Sequence, residues 1–421
     1  MLAPLVTIPL TLRYLGDERY GLWMAVTSLV GVLVFADFGL GNGVMSAVSR
    51  ATGKEDTNEI RRIIASAYAI LTSVAVLLLL IFQLAWPFIR WENVFNATTP
   101  PATGEARWVV LVVAVFFLVN IPLGLVQRVQ LALQEGFYNN LWQCAASMLS
   151  LALVVLAVWL RVDLPVLVLA ATGPLTIMAA ANSWWLFRCR HPQYCPTFRD
   201  YERRVGSDLL RVGGQFFVLS LLLVLGMNLD NLLVAHFATL RDVPEFSVPA
   251  RIAAIAHSVT GMVCLPLWTA NGEALARGDW QWVRHTTRRM SLLCAVGAMV
   301  LGALLIVGGD LLLQVWIGTE FRAGMLLWSG FAAWIVLQAG ISPYFMVLNA
   351  TNTLRVQIVA FLAFLPVATI LKILAIRYVG IAGIPWSGTA AYLALVIPLV
   401  LRACQRRWDI PGVSLGNGGI A

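Results

Sequence analysis

Two carboxylates, Asp37 and Asp230, lie inside apolar stretches of this sequence that are long enough to cross a lipid bilayer. An ionised carboxylate at mid-membrane costs roughly 2.5 to 3.5 kcal/mol on insertion scales, so we expect both to face a hydrated cavity. Asn228 and Asn231 flank Asp230, and this cluster could bind a coupling cation or sugar hydroxyls. A structural hydrogen bond to a neighbouring helix is the alternative. It is favoured for Asp37, where the glycines that follow indicate a helix end near the cytoplasmic interface.

A second polar set follows one face of a predicted helix. Asn120, Gln127 and Gln134 recur every seven residues, which places them on one side of that helix and implies water there. A proline and a glycine between the first two predict a bend or a break. The adjoining Arg128 is expected to extend to the cytoplasmic interface, with charge-assisted pairing to a diphosphate as the alternative.

Two further charged residues belong to apolar stretches of the second half. Arg251 and Ser258 share a small polar face that is predicted to point inward. Arg251 would either attract an anionic headgroup or pair with Asp230 or Glu245. Lys372 lies near the outer end of its stretch, and we expect its ammonium group to extend to the interface.

Enzyme chemistry is not indicated by the sequence. It shows no paired carboxylates and no Ser/His/Asp pattern, and the spacing of Cys189, His191 and Cys195 fits no structural zinc site. The segment 188–211 is too short for a soluble catalytic domain. We therefore predict a protein that is not an enzyme, with no metal and no cofactor other than a coupling H⁺ or Na⁺.

The elements that must position these residues are membrane helices. Of the 421 residues, 60% are hydrophobic and 12% are charged, and the mean hydropathy is +0.81, so lipid is the expected solvent. The sequence predicts an all-α polytopic membrane protein of about 12 helices, the first of them a truncated fragment at residues 1–12. The other apolar runs are 21–42, 63–89, 108–126, 141–160, 164–187, 212–238, 247–270, 290–307, 324–348, 356–375 and 380–401.

The basic residues predict the orientation in the membrane. Of the 29 Lys and Arg residues, 19 lie in the loops after even-numbered helices and in the tail. The positive-inside rule therefore places these loops and both termini in the cytoplasm of a bacterial inner membrane. This accounts for the net charge of +8, and no nucleic-acid partner is predicted.

A weak internal repeat predicts two halves. Residues 20–22 match 246–248, Gly53 matches Gly278, and 61–62 match 288–289, at offsets of 225 to 227. We predict two pseudo-symmetric six-helix bundles as parallel repeats: an N-terminal bundle over 1–190 and a C-terminal bundle over 212–403. A basic cytoplasmic linker over 191–211 would join them, and 404–421 would form a cytoplasmic tail.

Several motifs carry a resemblance to a known family. The stretch 13–23, leading into 35–42, resembles the opening of polysaccharide flippases, the Wzx-type O-antigen transporters of the MATE-like multidrug/oligosaccharidyl-lipid/polysaccharide superfamily. Residues 131–136, 228–234 and 274–279 are similar to that family at the expected places. The resemblance implies two bundles around a central cavity that opens alternately to each face. It also implies an undecaprenyl-diphosphate-linked oligosaccharide as cargo.

The predicted function is therefore transport of lipid-linked oligosaccharide to the external leaflet by alternating access, for polysaccharide or O-antigen biosynthesis. Expected partners are this substrate, membrane lipids, and a polysaccharide polymerase with glycosyltransferases. A cation-coupled multidrug or metabolite exporter of the same superfamily is the alternative, and a polytopic glycosyltransferase or polymerase is less favoured. Within this hypothesis, Asp230→Ala should impair transport without preventing membrane insertion.

Overall fold

The computed structural model describes residues 3–32, 37–95, 99–238, 242–316 and 323–408. Within these ranges the regular elements are helices, as the sequence predicts. The first eight are α1 Ala3–Val32, α2 Leu40–Gly53, α3 Thr57–Ala85, α4 Trp91–Val94, α5 Pro100–Leu123, α6 Leu125–Ala132, α7 Gly136–Trp159 and α8 Leu164–Trp185. They are followed by α9 Arg203–Phe237, α10 Asp242–Ala276, α11 Trp280–Trp316, α12 Met325–Ala350, α13 Leu354–Tyr378, α14 Gly383–Ala391 and α15 Ile397–Trp408.

Ten helical segments of the described chain are long and apolar enough to cross a membrane. Ten of the predicted runs each overlap one of them, and the run 21–42 is divided between α1 and α2. Helix α1 is itself interrupted at Gly16, whose φ of 73° and ψ of 172° are not helical. The predicted fragment at residues 1–12 therefore lies in the first part of α1.

The chain divides into two compact units. Residues Met1–Val48 and Asp56–Gly213 form the N-terminal unit, and Ser49–Glu55 and Gly214–Ala421 form the C-terminal unit. The predicted linker 191–211 needs a correction, because α9 begins at Arg203 and makes residues 203–211 of that segment helical. Of the predicted tail, the residues up to Trp408 continue α15, and 409–421 lie outside the described residues.

An ion pair organises the core of the N-terminal unit. Arg19 of α1 donates to Glu105 of α5 from Nε at 2.7 Å and from a terminal nitrogen at 2.5 Å. Glu105 also accepts from the backbone N–H of Leu164 at 3.1 Å, at the start of α8. Apolar residues of α1, α5 and α8 pack beside these groups, including the buried Leu22 and Val109. Both charges are thus neutralised where three helices meet.

Small residues permit close helix packing in the C-terminal unit. A Cβ at Gly302 of α11 would lie 2.9 Å from the Cβ of Ala332 of α12, so these helices are nearly in backbone contact. Such small-residue contacts stabilise helix pairs in lipid, where apolar burial gives little driving force. Nearby, Asp310 accepts from the indole N–H of Trp328 and the backbone N–H of Ala323, each at 2.9 Å.

The segment Ser49–Glu55, at the end of α2, packs within the C-terminal unit. A Cβ at Gly53 would overlap the carbonyl oxygen of Glu273. Arg50 donates to the carbonyl of Ala350 at 3.2 Å. With its amide oxygen turned toward this guanidinium, Asn352 accepts two further bonds from Arg50 at 3.0 and 3.1 Å. The segment is therefore fixed by both backbone contact and hydrogen bonds.

Candidate functional site

Asp37 lies at a break before α2. Phe38 and Gly39 follow it with left-handed φ values of 48° and 71°, and the N–H of Gly39 donates to Asp37 Oδ1 at 3.0 Å. Helix α2 then continues for 14 residues to Gly53, about 20 Å at 1.5 Å per residue. Asp37 therefore lies at a break in the helical path, as the glycines predict, but the chain resumes as a helix directly after it. Its position near the cytoplasmic interface stays a prediction.

Glycine in α9 allows this break to pack closely. A Cβ at Gly213 would lie 3.1 Å from the backbone N of Leu40 and 3.2 Å from the carbonyl oxygen of Phe38. These neighbours are backbone atoms and cannot rotate away as a side chain can. Gly213 therefore fixes the turn that carries Asp37.

We expect Gly213→Ala to destabilise the protein by about 1 to 3 kcal/mol, the usual range for overpacking a tight contact. The matched control is Gly214→Ala, because no atom lies within 4 Å of a Cβ at that position. Alanine should there raise stability slightly by its better helix propensity. Thermal unfolding of both purified variants in detergent measures the difference, and equal melting temperatures would contradict the role of Gly213.

Asp37 and Arg128 line one pocket of about 210 Å³ in the N-terminal unit. A Cβ at Gly41 would lie 2.9 Å from Arg128 Nε and 3.1 Å from Asp37 Oδ2, so these two atoms are at most about 6 Å apart. Among the described residues these two groups form no salt bridge, although their charges interact. The remaining lining residues are Gly41, Leu71, Phe117, Asn120, Ile121, Gly124, Leu125 and Gln127.

The pocket brings together four of the predicted site residues, Asp37, Asn120, Gln127 and Arg128. Asn120 Nδ2 donates to the carbonyl of Phe116 at 2.8 Å and to Thr176 Oγ1 at 2.5 Å, so part of its role is structural.

The side-chain amide of Gln127 has no hydrogen-bond partner within the described part of the chain. The half-buried Arg128 lines the pocket. The favoured prediction was that its side chain extends to the cytoplasmic interface. One cation, one carboxylate and an available amide can together bind an anionic, hydroxylated group.

The polar stripe ends earlier than the sequence predicts. Helix α5 ends at Leu123 and α6 begins at Leu125, which confirms the predicted break beside Pro122 and Gly124. Gln134 lies beyond the end of α6 in a turn, with a φ of 60°. It therefore does not continue the helical face of Asn120 and Gln127, because the helix that would carry it has ended.

We expect Gly41→Ala to displace the Arg128 side chain and to lower transport severalfold while the protein still folds. The added Cβ would overlap the flexible guanidinium group, which can move at small cost. Gly104→Ala in α5 is the matched control, because a Cβ there meets no atom within 4 Å. Transport by both variants at equal expression measures the effect, and unchanged transport by Gly41→Ala would argue against the pocket.

Asp230 and Lys372 form an ion pair in the C-terminal unit. Lys372 Nζ donates to Asp230 Oδ1 at 2.5 Å, and the two side chains are 9% and 23% exposed respectively. The prediction that Lys372 extends to the interface is therefore wrong, since a carboxylate on α9 holds its ammonium group inside the bundle. The pairing of Arg251 with Asp230 is likewise not formed. Among the described residues Arg251 makes no ion pair, and its side chain is exposed.

The other predicted residues of this half do not gather into a described pocket. Asn231 and Ser258 are exposed, and Ser258 Oγ donates to the carbonyl of Ile255 at 2.7 Å. The side chain of Asn228 lies outside the described residues. The structure thus connects Asp230 with Lys372 and leaves the roles of Asn228, Asn231, Arg251 and Ser258 as predictions.

Two contributors to these sites were not identified from the sequence. Thr176 of α8 holds Asn120, and Lys372 of α13 holds Asp230. A threonine in an apolar helix does not by itself indicate a contact with another helix, because its hydroxyl commonly donates to a carbonyl of its own helical turn. The lysine did carry a signal, since a cation within an apolar run can require a partner, but the partner lies 142 residues away.

A family model described as "Polysaccharide biosynthesis protein" matches residues 1–267. The chain belongs to this family. One relative from Yersinia pseudotuberculosis, named for O-antigen export, is 20% identical over 275 residues. The match covers 64% of this chain and 61% of that relative, so the chain spans less than two thirds of the relative's length.

Solved transporter structures share the family member's fold. A MATE transporter in a bent conformation is 15% identical, with a TM-score of 0.80 and coverage of 97% of this chain and 93% of that one. A mutant MATE transporter from Vibrio cholerae is also 15% identical, with a TM-score of 0.79 and coverage of 96% and 92%. The predicted family and fold are confirmed. The matched solved structures are MATE transporters, and this chain shares their fold.

Proposed function

We propose that this family member moves an undecaprenyl-diphosphate-linked oligosaccharide to the external leaflet of a bacterial inner membrane, with both termini in the cytoplasm. The pocket of Asp37 and Arg128 is the main structural support. Its arginine offers a planar set of donors suited to phosphate oxygens, and its carboxylate and amide suit sugar hydroxyls. Family membership supports the class of substrate.

The size of the pocket limits what it holds. A volume of 210 Å³ corresponds to about seven water molecules at roughly 30 Å³ each, which suits a phosphate group or one sugar ring. An entire oligosaccharide does not fit. We infer that the pocket binds the part of the headgroup next to the lipid, while the apolar tail stays in the bilayer and the transporter alternates its access between the two faces.

Cation coupling, if H⁺ or Na⁺ drives transport, is assigned to Asp37. In Asp230 the carboxylate already has a cationic partner, the Lys372 ammonium at 2.5 Å. Asp37 instead lines a pocket with Arg128, with which it forms no salt bridge among the described residues. Asp37→Asn should therefore remove the dependence of transport on the H⁺ or Na⁺ gradient. Asp230→Asn should keep that dependence in the fraction of the protein that folds.

Deletion of the gene tests the transport function directly. In the deletion strain, lipid-linked oligosaccharide should accumulate in the cytoplasmic leaflet and surface polysaccharide should be lost, and the intact gene should restore both. Normal surface polysaccharide in a strain without a paralogue would contradict the proposal. Increased drug sensitivity with normal polysaccharide would instead support the exporter alternative.

A further inference from the structure

A basic cleft lies in the N-terminal unit apart from the Asp37 pocket. It measures about 400 Å³ and is formed by the first turns of α3 and the segment before α9. Its lining is almost entirely polar, in a chain whose surface is mostly apolar. Three arginines contribute to it, and the full lining is Asn58, Arg61, Arg62, Arg199, Asp200, Tyr201 and Glu202.

The loop that carries Arg199 is fixed to α3. Ser66 Oγ accepts from the backbone N–H of Glu202 at 3.2 Å and donates to the Glu202 carbonyl at 3.3 Å. Asp200 forms an ion pair with Arg61 at 3.0 Å. Two independent contacts therefore hold the loop against the helix, so the arginines are brought together by the fold.

Asp200 is itself stabilised as a carboxylate. Thr197 donates to Asp200 Oδ2 from its hydroxyl at 2.5 Å and from its backbone N–H at 3.1 Å. These hydrogen bonds, together with the neighbouring Arg61, hold the pKa of Asp200 below its ordinary value. The carboxylate is consequently ionised at neutral pH, where it keeps Arg61 in position.

The charges of the cleft do not balance. Two carboxylates, Asp200 and Glu202, face three guanidinium groups. Glu202 contacts Arg62 only at 3.4 Å, and both side chains are more than 40% exposed, so this pair is weak. Arg199 has no carboxylate within ion-pair distance among the described residues. One positive charge is thus left without compensation beside two others.

We propose that this cleft binds the phosphate group of an anionic lipid headgroup at the predicted cytoplasmic surface. Its location supports this choice, because Asn58 and Arg61 lie in the first two turns of a membrane-spanning segment that begins at Thr57. Arginines at the end of such a segment can meet lipid phosphates, and basic pockets between membrane helices are suited to such headgroups. Three planar guanidinium groups provide more donors than one phosphate needs.

Two lipids carry the required chemistry: a glycerophospholipid with one phosphodiester, and a polyprenyl diphosphate. The second source rests on the proposed function, and the first does not. Lipid binding to the full-length protein in nonionic detergent, measured by native mass spectrometry, separates them. The probes are dioleoylphosphatidylglycerol and undecaprenyl diphosphate, with dioleoylphosphatidylcholine as the zwitterionic comparison and inorganic phosphate as the tail-free one.

The triple variant Arg61→Ala, Arg62→Ala, Arg199→Ala should bind the preferred anionic lipid on the order of tenfold more weakly. The matched control is Arg188→Ala, Arg203→Ala, Arg204→Ala, which removes the same charge from residues outside the cleft, on either side of the segment that carries Arg199, and its affinity should change less than about twofold. The variant Arg61→Lys, Arg62→Lys, Arg199→Lys keeps the positive charge, so it should fold even where the alanine variant does not. It should still bind more weakly, because lysine lacks the planar donor set.

Loss confined to dioleoylphosphatidylglycerol would assign the site to phospholipid, and loss confined to undecaprenyl diphosphate would assign it to the cargo. Either result supports the cleft. Equal losses in the cleft and control variants, or no loss in either cleft variant, would overturn it. Because the readout is binding, this test does not depend on whether transport is observed.

Discussion

Asp230→Asn is expected to leave little folded protein in the membrane, and Asp230→Asn combined with Lys372→Met is expected to restore it. The single change leaves the Lys372 ammonium, in a side chain 9% exposed, without its carboxylate. Breaking a buried pair from one side costs about 3 to 5 kcal/mol. That is a large part of the 5 to 15 kcal/mol that stabilises most proteins. Replacing both partners removes the unpaired charge.

The measurements are the yield of monodisperse protein and its melting temperature in detergent. A single variant as stable as the wild type would show that the ion pair contributes nothing to the fold. The stable double variant then tests the proposed role of Asp230 in transport, because its folding is no longer in question. Full transport by that variant would remove Asp230 from the mechanism, whatever its structural role.

Arg128→Ala is expected to reduce transport of the lipid-linked oligosaccharide by about ten- to a hundredfold. Hydrogen bonds to charged groups contribute about 1.5 to 3 kcal/mol, and each 1.4 kcal/mol is a factor of ten. Arg128→Lys should retain part of the activity, since it keeps the charge without the planar donors. Surface polysaccharide in a complemented deletion strain is the readout.

Arg204→Ala serves as the control for Arg128, because this arginine is exposed and does not line the pocket. Both variants must be present in the membrane at wild-type amount. Wild-type polysaccharide with Arg128→Ala would exclude the pocket from substrate binding. An equal decrease with Arg204→Ala would indicate a general effect of net charge instead.

The helices of this protein could be predicted well because lipid imposes a simple requirement. A segment that crosses the bilayer must be about 20 residues long, apolar and internally hydrogen-bonded. Ten of the apolar runs satisfied this and correspond to ten helical segments. The break between α5 and α6 was also predictable, since proline and glycine act locally.

The break at Asp37 was harder to predict because its cause is not local. Gly39 suggested an end, yet the helix resumes at Leu40 and continues to Gly53. The interruption is held by Gly213, more than 170 residues away, whose missing side chain admits the backbone of the turn. The pairing of Lys372 with Asp230 has the same origin: tertiary packing selects a partner that neither residue's neighbours reveal.

The short segment Ser49–Glu55 has a practical consequence for anyone who divides this protein at residue 213. The downstream half would begin without the seven residues that occupy its surface near Glu273, and the Arg50 hydrogen bonds to Ala350 and Asn352 would be lost. Such a half, produced alone, would be an incomplete body rather than an independent domain. Co-production with the upstream half, which carries Ser49–Glu55, would supply the missing segment.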